Sequence, residues 1–189
     1  MRKNIYRKLY MLMPLCLLMI FILSATAQAA GKKKVLVAYF SVTNNTKAAA
    51  QDIAKASGGK LYRIKPAQAY TKKDINYNND NCRANREQRD ASARPAVKGK
   101  VKNIRKYGVI FIGYPIWHGK EPKVIKTFLE SYNLKGEKIV PFCTSGGSGI
   151  SGSMKGIRES AKGAKVKKGK DLSDASYGSI KKWVRKKLK

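Results

Sequence analysis

The sequence predicts an α/β domain in which a mostly parallel sheet is layered between helices. Three observations predict it. The runs Val35–Phe40, Val109–Gly113 and Ile139–Cys143 are continuously apolar rather than alternating, so both faces of each strand should be buried. Stretches with helical spacing follow them in the chain. Each run also passes directly into a loop of small and polar residues, and ligands of open parallel sheets bind outside the carboxyl ends of strands.

Taken in order, the chain opens with Arg2, Lys3, Arg7 and Lys8, then an apolar run from Leu9 to Leu23, then the small residues Ser24, Ala25, Ala27, Ala29 and Ala30. That is the charged, apolar, small-residue order of a secretory signal peptide. Ala27-Gln28-Ala29 places cleavage after Ala29, with Ala25-Thr26-Ala27 as second choice. The competing reading is an uncleaved membrane anchor, which the run disfavours because a span needs ~20 apolar residues. Leu15 before Cys16 does not suit lipid attachment, and the absence of a twin Arg predicts export in the unfolded state. The domains are therefore residues 1–29, the leader, and residues 30–189, the folded domain.

Within that domain Val35–Phe40 is the first strand, and Lys47–Ala56 the first helix, with Ala49, Ala50, Ile53 and Ala54 on one face and Gly58-Gly59 as its stop. Lys60–Lys65 alternates and reads as an outer strand. Residues 66–106 are polar and basic, with a helix around Asn81–Ala91 between loops. Val109–Gly113 is a central strand, and Pro122 suits the first turn of a helix whose stripe is Val124, Ile125, Phe128, Leu129 and Tyr132. Ile139–Cys143 is a further strand, although Pro141 removes a ladder donor. Gly152–Ala161 reads as a helix, residues 164–168 as a last short strand, and Ser176–Leu188 as a closing helix that turns Ile180, Trp183, Val184 and, at its end, Leu188 inward.

Composition narrows the function. The chain has 189 residues, 41 Lys and Arg, 11 Asp and Glu, and a net charge of +30. Removing residues 1–29 takes four bases and no acid, which leaves 160 residues at +26. A hydrophobic fraction of 43% supports a packed core and excludes disorder throughout. Three cysteines and one histidine exclude a disulfide-dense scaffold and a Cys/His zinc cluster. Two cysteines remain after cleavage; an exported chain permits a Cys82–Cys143 bridge, and the other reading of Cys143 is a free thiol ending a buried strand. His118 and Cys143 both lie at strand ends, but no third group is evident to orient the histidine, so a nucleophilic pair is not expected.

The chemistry is expected in the three strand-end loops. Ser41-Val42-Thr43-Asn44-Asn45-Thr46 holds hydroxyls and amides at a helix start, without acid or Lys. Such a loop suits a phosphate, and equally reads as a plain capped turn. Tyr114-Pro115-Ile116-Trp117-His118-Gly119 offers flat rings that either stack on a heterocycle or cover the core edge. Thr144-Ser145-Gly146-Gly147-Ser148-Gly149 lets backbone approach a ligand edge.

In this order YFSVTNNT (39–46), GYPIWHG (113–119) and PFCTSGGSG (141–149) resemble the flavodoxin family over roughly residues 33–188. The resemblance implies a three-layer sandwich with a five-stranded parallel sheet in order 2-1-3-4-5, flavin mononucleotide (FMN) as cofactor, and electron transfer. It implies that Ser41, Thr43, Asn44, Asn45 and Thr46 hold the phosphate. Ile116 and Trp117, flanked by Tyr114, Pro115 and His118, would lie against the isoalloxazine, and Thr144, Ser145, Gly146 and Gly147 would border the ring. The chain departs from the family's pattern in having Asn44 where Gly is usual, in its leader, and in its basic charge. The implied function is an exported electron carrier. The alternatives are a flavin-dependent NAD(P)H or quinone reductase, and a non-redox module that keeps the fold and adheres through its basic surface. A charge of +26 suits an acidic redox partner or an anionic envelope surface, and export argues against nucleic acid.

Overall fold

The computed structural model describes residues 34–189, so the expected leader lies outside the described residues. The main sheet contains β1 (Lys34–Tyr39), β2 (Lys60–Arg63), β5 (Tyr107–Pro115), β6 (Lys138–Thr144), β7 (Lys165–Val166) and β8 (Lys170–Asp171). It is parallel, in the order β2-β1-β5-β6-β7, with β8 also pairing β6. This is the order 2-1-3-4-5 with the fifth strand in two pieces. A second, antiparallel sheet pairs β3 (Lys65–Pro66) with β4 (Val97–Lys98). The helices are α1 (Asn45–Ser57), α2 (Arg83–Arg89), α3 (Lys123–Glu130), α4 (Met154–Ser160) and α5 (Tyr177–Leu188).

The apolar strands feed both faces of the sheet, as a two-residue side-chain period requires. Val37, Tyr39, Phe111, Val140 and Phe142 pack on one side with Ala50 and Ile53 of α1 and Ile180 and Val184 of α5. Leu36, Ala38, Phe40, Ile110, Ile112 and Ile139 pack on the other with Ile125, Phe128 and Leu129 of α3 and Ile157 of α4. Each such aliphatic side chain contributes about 1.5–3 kcal/mol by leaving water.

Pro141 accounts for the broken fifth strand. In a parallel strand the N–H and C=O of one residue point to the same side, and neighbours alternate. Ile139 O accepts from Lys167 N at 2.8 Å, and Cys143 O accepts from Leu172 N at 2.9 Å. Position 141 therefore faces the fifth strand as well, and proline has no N–H to offer there. The neighbouring chain pairs on either side of that gap, as β7 with Lys138 and Ile139, and as β8 with Phe142 and Cys143.

Other boundaries shift for local reasons. Lys60–Lys65 divides into β2 and β3, which belong to different sheets. The helix expected around Asn81–Ala91 is the shorter α2, and Pro122 is the cap of α3 rather than its first residue. The helix expected over 152–161 begins as a tight 3-10 turn, Ser151–Ser153, before α4. Gly58 ends α1 at φ 64°, as its sequence predicts.

Candidate functional site

The carboxyl ends of β1, β5 and β6 bring the three loops together. Thr46 Oγ1 and Thr144 Oγ1 are 2.7 Å apart and buried, which joins the first loop to the third. Ile116 N donates to Thr144 O at 2.8 Å, which joins the second to the third.

The first loop is open. Thr43, Asn44 and Asn45 are exposed, and Ser41 and Thr46 are buried. Asn44 caps α1 at φ 70°, ψ −5°, and its side chain makes no capping hydrogen bond. The helix ladder begins with Ala48 N donating to Asn44 O at 3.0 Å. The N–H groups of residues 45–47 precede that bond, no acid stands in the first turn, and the positive end of the helix faces outward. In the Thr46–Thr144 pair one hydroxyl donates, and the accepting hydroxyl keeps its own proton for another acceptor. This donor set suits an anion. Arg63, at the end of β2, braces the loop by donating from Nη2 to Ser41 O at 3.3 Å.

The second loop corrects the expectation for its rings. Tyr114 is fully buried, and its hydroxyl lies 2.9 Å from Ser153 Oγ. Burial drives the Tyr114 pKa well above the usual phenol range. It cannot stack on a ligand, because its ring lies in the α3–α4 side of the core. Trp117 is only 4% exposed and meets Phe40 at 5.5 Å and Tyr70 at 5.1 Å, edge to face. It is a core ring in this arrangement rather than a platform. Pro115 and Ile116 are half-buried at the rim, and His118 is exposed.

A tight turn holds this loop. Trp117 N donates to Lys120 O at 2.9 Å, and Lys120 N to Trp117 O at 3.0 Å. His118 at φ 48° and Gly119 at φ 71° occupy its two centre positions, both left-handed. The segment 70–90 supplies partners that the sequence did not reveal. Asn85 Nδ2 donates to Asn79 O at 3.0 Å, which turns Oδ1 toward His118, so His118 Nε2 donates to it. Gln88 Nε2 donates to Trp117 O at 2.8 Å and Glu121 O at 3.2 Å. Tyr77 meets the His118 ring edge-on at 5.2 Å. Burial pushes the Glu121 carboxyl up against the opposing pull of Lys126, Lys123 and Lys120.

The third loop is tied to β8. Asp171 accepts from Ser145 Oγ at 2.5 Å and from Ser173 Oγ at 2.6 Å and N at 3.0 Å. Ser145 Oγ in turn accepts from Gly147 N at 3.3 Å and Gly149 N at 3.1 Å, which shapes the turn. Burial works to raise the Asp171 pKa, but the hydrogen bonds from Ser145, Ser173 and Cys143 outweigh it and hold the carboxyl below its usual range. Gly146 and Gly147 are exposed, and the space a Cβ would fill beside each is open.

The cysteines are not bridged. Cys82 and Cys143 are both free and buried. Cys82 Sγ accepts from Asn85 N at 3.5 Å as the cap of α2, while the buried Cys143 lies near the Asp171 carboxylate of β8. Burial, then the Asp171 charge, push the Cys143 pKa up, which removes it as a nucleophile. His118 is engaged by Asn85.

A strand-end phosphate-type loop, two bordering loops and the order 2-1-3-4-5 together define a flavodoxin-like protein. The family model for flavodoxin matches residues 34–187, and the chain belongs to that family. It is 44% identical to a candidate flavoprotein of Bacteroides eggerthii, covering 80% of this chain and 96% of that one at a TM-score of 0.77. A candidate flavoprotein of Bacteroides uniformis is 39% identical, covering 80% and 97%, also at 0.77. A flavoprotein of Lactobacillus acidophilus, solved in complex with FMN, is 24% identical over 74% and 93% at 0.64, a likeness of fold. No curated protein matches the chain.

Proposed function

We propose that this protein binds FMN and transfers electrons outside the cytoplasm. The observation that carries the reading is the uncapped, acid-free start of α1, whose backbone donors stand beside Thr43, Thr46 and the Thr46–Thr144 hydroxyl pair. A dianionic phosphate fits that donor set by charge and by hydrogen-bonding type. Residues 41 and 43–46 would hold it. Pro115, Ile116, Gly146 and Gly147 would border the ring, with Trp117 supporting the rim from beneath and Asp171 fixing the third loop. The flavin, when bound, supplies the redox chemistry; the protein supplies position and field. The FMN bound by the Lactobacillus flavoprotein supports the choice of cofactor.

The leader-like order of residues 1–29 supports export. No helix among the described residues is long and apolar enough to cross a membrane. A mature charge of +26 supports an acidic redox partner, with association that slows as salt rises. The deciding experiment titrates the protein with FMN and with riboflavin, following flavin fluorescence. FMN should bind at least ten-fold more tightly, because riboflavin lacks the charge-assisted phosphate bonds, worth roughly 1.5–3 kcal/mol each. Equal affinity would overturn the phosphate assignment.

A further inference from the structure

A cavity of about 310 Å³ opens between β2 and the small antiparallel sheet, against the start of the first loop, whose Ser41 and Val42 line it. Its accessible apolar lining is Val42, Pro66, Ala67 and Ala69, over the buried Phe40, Ile64 and Tyr70. Its rim carries Arg63, Lys65 and Lys98, all exposed, and its lining holds no carboxylate. A basic chain scatters lysines over any hollow, so it is the lack of acid that sets this one apart. The other cavities described all contain acid: Asp171 and Asp174 in one, Glu121 and Glu159 in a second, Asp80 in a third.

The rim is also arranged against its own electrostatics. Lys65 and Lys98 are direct partners in the antiparallel pairing of β3 with β4. Like charges directly opposite each other destabilise a sheet, and this one has only two residues per strand to offset the repulsion. Neither lysine forms an ion pair among the described residues. An anion between them would relieve the repulsion. The apolar lining adds a second requirement, since a fully hydrated inorganic ion gains nothing from Val42, Pro66, Ala67 and Ala69.

We propose that this cavity binds a small organic anion, an aromatic ring bearing a carboxylate or a similar acidic group. The ring lies against Val42, Pro66, Ala67 and Ala69, and the acid group meets Lys65 and Lys98. Phe40 and Tyr70 also pack on Trp117, at 5.5 and 5.1 Å, so the bound anion sits one layer of rings away from the second flavin-side loop. Arg63 lines the cavity and braces Ser41 of the first loop. The site adds a small-molecule ligand to the proposed flavoprotein and rests on that reading only for its biological purpose, not for binding.

The test uses 2-naphthoate as probe, 2-naphthol as its uncharged counterpart and sulfate as a charge without a ring, titrated calorimetrically into the full chain with and without saturating FMN. The expected result is that 2-naphthoate binds at least ten-fold more tightly than either control, whether or not FMN is present. The double variant Lys65→Gln/Lys98→Gln should lose at least ten-fold in that affinity. Lys181→Gln/Lys186→Gln on α5 removes the same charge far from the cavity and should change it less than two-fold. Equal losses in the two double variants would assign binding to the general field and overturn the site. So would displacement of the probe by FMN, or equal affinity for 2-naphthol. Parallel FMN titration of Lys65→Gln/Lys98→Gln separates the two readings. Retained FMN affinity with lost naphthoate affinity supports the cavity, and failure of FMN to bind the parent protein refutes the flavin reading alone.

Discussion

The first and second loops stand side by side at the same sheet edge, yet they behave differently. The first loop works through backbone N–H groups and hydroxyls at a helix start, which local sequence determines. Its residues 43–45 are exposed. The second loop was read through its aromatic side chains, and these turn inward onto Phe40, Tyr70 and Ser153. Polar atoms at a helix end have a direction set within a few residues. An aromatic ring takes the direction in which it can leave water, and that depends on chain elsewhere.

The largest effect that tests this contrast is at Trp117. Trp117→Ala removes a buried ring from the Phe40–Tyr70 group and should cost about 3–5 kcal/mol. A urea titration reads it as a lower midpoint with little change in slope. FMN affinity of the variant that remains folded should change less than ten-fold. Unchanged stability with collapsed affinity would mean that the ring turns out to the ligand, and the contrast between the loops would fail.

Asp171 comes next, as the group that makes the third loop resemble the first in rigidity. Asp171→Asn weakens charge-assisted hydrogen bonds from Ser145 and Ser173, worth about 1.5–3 kcal/mol each in general. Because the folded carboxyl titrates below its unfolded value of about 3.9, its contribution is present above that pH. It is lost as pH falls through the folded value. Thermal unfolding should therefore show a wide gap between parent and variant at pH 7 that narrows below about pH 4. A gap of constant width would show that the carboxylate charge is not what holds Ser145 and Ser173.

These two residues also mark the limits of the sequence reading. The central strands were legible because Val35–Phe40, Val109–Gly113 and Ile139–Cys143 are apolar on both faces. Pro141 is awkward in a central strand and falls where the fifth strand breaks, but the sequence does not say which neighbour loses the donor. The loop positions followed from the strands. Tyr114 and Trp117 did not, since their burial depends on Ser153 and Tyr70, far away in the chain. Asn85 and Gln88 lie in the polar segment 66–106, which has no periodicity strong enough to show that it braces loop 117–121. Asp171 carried one faint signal, the first of two acids, with Asp174, after a run of lysines.

A smaller effect is expected at the contact between the first and third loops. Thr144→Val keeps shape but leaves the buried Thr46 hydroxyl without its partner, at a cost of about 1–2 kcal/mol in urea unfolding. If the surplus proton of the hydroxyl pair points to the phosphate, FMN affinity should fall several-fold while riboflavin affinity stays level. Equal falls for both would mean that the pair is only structural, and the first loop would then depend on backbone donors alone.

The smallest effect separates backbone from side chain within the first loop itself. Asn44 sits at φ 70°, ψ −5°, where an L-residue is strained and Gly is not. Asn is among the residues that tolerate this region, so the strain relieved by Asn44→Gly is well under the ~1–2 kcal/mol of a general side chain. The unfolded chain gains freedom with Gly, which offsets part of the relief. The Asn44 side chain makes no capping bond, so nothing is lost there. The net change in stability should lie within about 0.5 kcal/mol of zero, as it does for substitutions away from buried features. FMN affinity should be maintained or slightly raised, because the N–H groups at the start of α1 remain where they are. Fluorescence titration of parent and variant with FMN, and with riboflavin as reference, measures it. A loss of ten-fold or more in FMN affinity alone would show that the Asn44 amide itself binds the phosphate, and the first loop would then rely on a side chain as the second loop was expected to do.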